Sequence, residues 1–194
     1  MGTKISKCTE ILSVLKKYRV KDISCAYGYN CPDKENTIHY IFILESPHVD
    51  EIQNGIPLSG PAGKAAFESI FPSSNDSNMT LGKYISEGRI NASIINISDI
   101  PLQKKAYETV EDVKDELIIS GLDWKKIERI RKSGSLGDDI YSKFIKGSFQ
   151  FRFNRLIKKL ENDNYKIISC GRFSNNIVKK VVETDFSKLE LIYH

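Results

Sequence analysis

Continuous apolar runs alternate along this chain with segments whose apolar residues recur at helical spacing, and the alternation predicts an α/β fold. Four runs rich in β-branched and aromatic residues predict buried strands, at residues 37–44, 90–97, 165–170 and 189–193. Pro, Gly, Ser and Asn are frequent after the first run, and Ser98, Asp99 and Pro101 follow the second, which predicts a loop after each. Because helical segments separate the strands, we expect a mostly parallel four-stranded sheet.

The helical segments are expected to cover both faces of that sheet. At the N-terminus, Ile5, Cys8, Ile11 and Leu15 recur at helical spacing, which predicts a helix over residues 3–18. Residues 1–194 are therefore interpreted as a single three-layer α/β/α domain, with residues 1–36 as an N-terminal helix and loop that cover the core. Further helices are predicted at residues 64–70, at residues 173–182, and within residues 107–160 with breaks near Gly121, residues 133–137 and Gly147.

Composition limits the class of protein. The chain has 194 residues, of which 40% are hydrophobic and 28% charged, as expected for one soluble globular domain. No apolar run has the length of a membrane span and the first residues lack an apolar signal core, so we expect a cytoplasmic protein with no membrane partner.

Charge and cysteine content add little further. The net charge of +4 permits nucleic-acid binding, and basic residues cluster within residues 125–132, 152–159 and 179–180, although such clusters are commonly solvated helix faces. The cysteines lack paired CxxC spacing, which predicts reduced thiols, no metal and no cofactor. They are Cys8, Cys25, Cys31 and Cys170.

The ends of the predicted strands carry the candidate chemistry. In open parallel sheets, ligands bind outside the carboxyl ends of the strands. Here those ends are Glu45, Asn96, Gly171 and His194. Residues 45–63, after the first strand, are rich in Pro, Gly, Ser and Asn and predict a long loop, where function is often found.

That loop reads ESPHVDEIQNGIPLSGPAGK, and it resembles the first motif of the uracil-DNA glycosylase superfamily. The closest form runs G-E-A-P-G and then G-x-P-F-x-G-x-A-G. Asn96 ends the second strand as the second family motif does, and His194 matches the histidine of the H-P-S motif. The resemblance spans residues 37–194 and implies the uracil-DNA glycosylase-like fold, without the iron–sulfur cysteines of one branch. The matching loop residues are Pro47, Gly55, Pro57, Gly60, Ala62 and Gly63.

The resemblance implies a DNA repair glycosylase that hydrolyses the N-glycosidic bond of a damaged, deaminated or modified base. Such an enzyme flips the base out of single- or double-stranded DNA. By resemblance, Glu45 orients or activates water and His194 donates to the base carbonyl as negative charge develops. Asp50 and Glu51 are alternative carboxylates for the water, and Asn96 presents a donor and an acceptor to the base edge.

Further residues are assigned to the base and to the DNA backbone by the same resemblance. Ser46 and Leu58 would lie beside the base. The expected backbone contacts are His48, Gly60, Gly63 and Lys64. Glycines there let main-chain N–H groups approach a phosphate, although glycine is equally common in plain turns.

Two departures from the family pattern leave other functions open. Ser46 stands where the most active uracil enzymes carry aspartate, and Leu58 replaces the aromatic residue that stacks on the base. These losses suit a non-catalytic member of the same fold that binds nucleic acid or a nucleotide. A third hypothesis is an interaction module that uses the fold only as a scaffold.

Overall fold

One sheet organises the described part of the protein. The computed structural model describes residues 19–24, 38–108, 123–160, 164–182 and 188–192. Within these residues, five strands form a sheet in the spatial order β1-β3-β2-β4-β5. β2 to β5 run parallel, whereas β1 is antiparallel to β3. The strands are β1 (Ile23–Ser24), β2 (His39–Leu44), β3 (Ala92–Asn96), β4 (Tyr165–Cys170) and β5 (Leu189–Ile192).

Helices cover both faces of the sheet because the strand side chains alternate. Phe42 and Ile94 pack with α2 and α3 on one face, which we call the loop face. Ile41 and Ile43 pack with α5, α6 and α7 on the other, which we call the helical face. The described helices are α1 (Val49–Asn54), α2 (Pro61–Ile70), α3 (Leu81–Ser86), α4 (Lys105–Glu108), α5 (Trp124–Ser133), α6 (Ile140–Lys159) and α7 (Gly171–Val181).

The predicted α/β class with a mostly parallel sheet is confirmed, but the predicted number of four strands is wrong. The additional strand β1 lies in the segment interpreted as an N-terminal helix and loop. It has only two residues, Ile23 and Ser24, which pair with Ile94 and Ser93. Such a short strand has too few residues for a periodic signal. The predicted helix over residues 3–18 lies outside the described residues.

Two further expectations are corrected within the helices. The predicted loop over residues 45–63 contains α1, which ends at Gly55 in the left-handed conformation, and α2 already begins at Pro61. Gly147 does not interrupt α6, since Ile145 and Phe149 on either side of it are fully buried and fix the helix against the core. α3 was not predicted.

The chain connections create a topological switch point between β2 and β4. The chain leaves β2 for β3 through a connection that includes α2 and α3 on the loop face, whereas it leaves β4 for β5 through α7 on the helical face. In open parallel sheets, ligands bind at such switch points. Across the described ranges, no helix is long and apolar enough to cross a membrane.

The N-terminus of α6 is capped by Asp139. Its Oδ1 accepts hydrogen bonds from the Tyr141 and Ser142 N–H groups at 3.0 and 3.1 Å, and its Oδ2 accepts the Ser142 hydroxyl at 2.6 Å. Partial burial opposes ionisation of this carboxyl, but the hydrogen bonds prevail and hold its pKa below the usual 3.8. The ionised cap therefore stabilises the longest described helix.

We expect Asp139→Ala to lower the free energy of unfolding by about 1 kcal/mol at neutral pH, as for other N-cap losses. Since folding lowers the pKa, the stabilisation is present above the unfolded value of 3.8 and is lost as the pH falls through the folded value. Urea denaturation across acidic pH measures this, with Asp138→Ala as the exposed neighbouring control. An effect of Asp139→Ala that is independent of pH would contradict the ionised cap.

Candidate functional site

The loop after β2 is fastened by one buried carboxylate, that of Glu51. Its Oε2 accepts the His48 N–H at 2.9 Å, and its Oε1 accepts the Leu58 N–H at 2.6 Å. Burial raises the pKa of Glu51, and the two backbone N–H groups act in the opposite direction by stabilising the charged form. Glu51 thus ties the start of α1 to Leu58 in the middle of the loop. The carboxylate of its neighbour Asp50 is instead partly exposed and lies near the His48 ring.

Leu58 has an unusual backbone conformation at the centre of the same loop. Its φ of 53° is positive, which is uncommon for a bulky residue and costs free energy. The Gly82 N–H donates to its carbonyl at 3.1 Å, and a Cβ on Gly63 would lie 1.7 Å from that oxygen. Leu58 is therefore clamped from both sides, and its side chain is buried with Phe42 and Phe67 rather than exposed to a ligand.

Asn96, the predicted base reader, ends β3 beneath this loop. It is 1% exposed, and its Oδ1 has no hydrogen-bond partner among the described residues. Strand alternation directs its side chain to the loop face, as for Ile94, and it lies in register with Leu44. Because a buried carbonyl oxygen without a partner is costly, we expect a water molecule or a ligand to satisfy this atom.

Glu45, the predicted water-activating carboxylate, forms an ion pair directly after β2. Arg131 Nε donates to its Oε1 at 2.6 Å, and the two side chains are 42% and 29% exposed for Arg131 and Glu45. Arg131 belongs to α5, which packs on the helical face. Glu45 and Asn96 therefore reach toward opposite faces of the sheet edge, although the backbone pairing of Ser98 N–H with Glu45 oxygen, at 3.0 Å, keeps their strands adjacent.

The remaining predicted residues near the start of the loop have separate surroundings. Ser46 Oγ accepts the Leu102 N–H at 3.3 Å and so joins the loop after β2 to the loop after β3. His48 and Asp50 are substantially exposed, with His48 Nδ1 3.7 Å from Asp50 Oδ2. A Cβ on Gly60 would lie 2.8 Å from that same carboxylate oxygen. Asp50 therefore stands where a phosphate was expected to approach Gly60.

The other expected backbone contacts divide between surface and core. Lys64 is exposed, and its Nζ lies 4.0 Å from Glu68 one turn along α2. Gly63 is buried against Leu58, so its lack of a side chain permits close packing of the loop. His194 lies outside the described residues and is not placed relative to Glu45 or Asn96.

Sequence reasoning overlooked Arg152, which holds the carboxyl end of β3 from α6. Its guanidinium donates to the Asn96 carbonyl at 2.7 Å, to the Ile97 carbonyl at 3.1 Å and to Asp22 Oδ1 at 2.6 Å. Burial raises the pKa of Asp22, although the Arg152 charge acts against this shift. The signal was a lone arginine in the apolar stretch FQFRF, interpreted only as part of a basic cluster.

Buried polar atoms also gather where β4 leads into α7. Ser169 Oγ, Ser174 Oγ and Asn175 Oδ1 lack hydrogen-bond partners within the described ranges, while Asn175 Nδ2 donates to the Ile192 carbonyl at 3.2 Å. They lie near the carboxyl end of β4 and at the start of α7. Within the part of the chain described, no group of three or more His, Cys, Asp or Glu residues could hold a metal ion.

No protein-family model, curated protein or solved structure gives a significant match to this chain. Its function is therefore inferred from its residues and their geometry.

We expect Glu51→Gln to lower the free energy of unfolding by about 1–3 kcal/mol, since one backbone N–H would then face the new NH₂ group. Urea denaturation measures the loss, and hydrogen exchange of the Leu58 amide should become faster. Glu87→Gln is the matched control, because its carboxylate pairs only loosely with Arg89, at 3.7 Å. An unchanged exchange rate at Leu58 would contradict the fastening role of Glu51.

Proposed function

We propose that this chain is a DNA glycosylase-like protein of the uracil-DNA glycosylase kind, which hydrolyses the N-glycosidic bond of a damaged, deaminated or modified base. The observation that carries the proposal is the buried Oδ1 of Asn96, which lacks a partner among the described residues at the carboxyl end of a central strand. An amide offers both a donor and an acceptor, which suits the pairing edge of a flipped base.

The loop after β2 supplies the second support for this proposal. Leu58 in this loop packs on the same face as the Asn96 side chain, whereas Val49 and Ile52 of α1 pack against the core of the other face. The hydrogen bonds of Glu51 join the two parts. A preorganised wall avoids the cost of ordering a loop when the base enters. The strained φ of Leu58 is also typical of residues at functional sites.

By resemblance, Glu45 would act on the water that attacks the sugar, with the nucleotide lying across the carboxyl edge of the sheet between Glu45 and Asn96. Cleavage gives the sugar oxocarbenium character and makes the departing base anionic, so a carboxylate near the sugar favours the reaction. Arg131 fixes the orientation of Glu45 by its hydrogen bond at 2.6 Å. The pair is partly exposed, and exposed ion pairs contribute little free energy. Binding of DNA can therefore separate Glu45 from Arg131. His194 keeps its role as donor to the base carbonyl by resemblance alone.

The same ion pair favours a second candidate function, binding of a nucleic acid or nucleotide without cleavage. The Arg131 guanidinium occupies Glu45 Oε1, an oxygen that would otherwise be free to accept a hydrogen bond from the attacking water. Ser46, which replaces the aspartate of active uracil enzymes, instead joins two loops through the Leu102 N–H. A binder would retain salt-dependent affinity for DNA and leave no abasic sites.

Oligonucleotides bearing uracil, hypoxanthine, xanthine or modified cytosine, treated with alkali after incubation, distinguish the two functions. We expect strand cleavage at one class of base, and we expect Glu45→Gln to slow it by about 100-fold or more while DNA binding persists. Glu87→Gln, remote in sequence and ion-paired, is the matched control. Full activity of Glu45→Gln would remove Glu45 from the mechanism, and uncut strands with intact binding would favour the non-cleaving function.

Asn96→Ala should weaken discrimination between the preferred base and its competitors by about tenfold, because it removes the amide that would bond to the base edge. The measurement is the ratio of cleavage rates, or of binding affinities, across the same panel. Asn78→Ala, in an exposed turn, is the control and should leave the ratio unchanged. A ratio in Asn96→Ala equal to that of the parent would remove Asn96 from base recognition.

A further inference from the structure

A cavity lies beside the carboxyl end of β3. Its volume is about 790 Å³, within the range of small-molecule sites. Residues of α6 and of the segment before β1 line it, and α6 packs on the helical face of the sheet. The Asn96 side chain is directed to the loop face, so the two sites are separated by the sheet.

Asp99 contributes a buried acceptor to this cavity. Its side chain is 3% exposed, and its Oδ2 accepts the Ser148 hydroxyl at 3.2 Å and the Arg19 Nε–H. Its Oδ1 has no partner among the described residues. One carboxylate oxygen is thus held rigidly by the protein, and the other can accept an N–H group of a bound molecule.

The rim of the cavity combines an aromatic ring with positive charge. Phe151 is 70% exposed, although burial of a large apolar side chain is favourable in free energy. Arg155 lies one turn further along α6, and Lys21 lies on the segment before β1. The lining includes four cationic and two carboxylate side chains, so an anionic ligand is favoured.

We propose that this cavity binds a nucleotide unit. The base stacks on Phe151 and donates an N–H group to Asp99 Oδ1, while the phosphate lies against Arg155 and Lys21. Stacking on an aromatic ring accepts any base, and an aspartate oxygen reads an N–H donor on its edge. The unit is either a free nucleotide or one nucleotide of a single strand, and neither source depends on base cleavage at Asn96.

Calorimetric titration tests the proposal with nucleoside 5′-monophosphates of all four bases, ribose 5-phosphate and inorganic phosphate. We expect saturable binding of at least one nucleotide, tighter than that of ribose 5-phosphate by about tenfold because the base adds stacking. Equal affinity for ribose 5-phosphate and for every nucleotide would overturn the proposal, as would no binding of any nucleotide.

Phe151→Ala should lower nucleotide affinity by about tenfold, and Arg155→Glu should lower it further by placing a negative charge beside the phosphate. Both residues are exposed, so the variants should fold, and circular dichroism verifies this. Controls on the same helix are Ile140→Ala, which is 47% exposed in the parent, and the exposed charge reversal Lys143→Glu. Unchanged affinity in Phe151→Ala and Arg155→Glu would overturn the assignment of the cavity.

Competition with a single-stranded oligonucleotide identifies the source of the nucleotide. An oligonucleotide that displaces the mononucleotide and binds more tightly supports a path for nucleic acid through the cavity, provided that its affinity falls steeply as the salt concentration rises. An oligonucleotide that fails to displace the mononucleotide supports a free nucleotide as the ligand. The cavity variants Phe151→Ala and Arg155→Glu should lower this affinity whether or not the glycosylase assay shows cleavage, so an absence of base cleavage does not count against the cavity.

Discussion

The guanidinium of Arg152 joins the elements on which both proposed sites depend. From α6 it donates to the Asn96 and Ile97 carbonyls, which end β3, and to Asp22, which precedes β1. Its side chain is only 12% exposed, so these charged hydrogen bonds form where water competes little. The loss of one member would leave buried charge uncompensated, which is costly. The same side chain therefore fixes the backbone of Asn96 and one wall of the cavity beside β3.

Glu51 performs the corresponding task in the loop after β2. Its two backbone hydrogen bonds, together with the burial of Leu58, oppose the conformational entropy of this loop. The positive φ of Leu58 persists because Glu51, Gly63 and Gly82 constrain it together. The hydrogen bonds of Arg152 and Glu51 thus shape a sheet edge at which Asn96 Oδ1 and Asp99 Oδ1 are buried without a hydrogen-bond partner among the described residues.

The sequence predicts the parts of this structure that repeat along the chain. The apolar run that ends at Leu44 and the run over residues 165–170 give clear strand signals, because buried strands need continuous apolar residues. β1 escapes prediction because two residues have no period, and α1 because loop-forming residues follow it closely. Contacts between distant residues, such as that of Arg131 with Glu45, have no local signal, so charge clusters alone could not reveal them.

The most direct test of the account is whether a nucleobase contacts the Asn96 side chain. In ¹⁵N-labelled protein, the side-chain amide resonances of Asn96 can be assigned by their absence in Asn96→Asp and followed while free uracil, hypoxanthine, xanthine or a modified cytosine base is added. The account predicts a saturable shift of the Asn96 amide with one class of base. Amide resonances of Asn96 that stay unchanged with every base, while the protein remains folded, would contradict it.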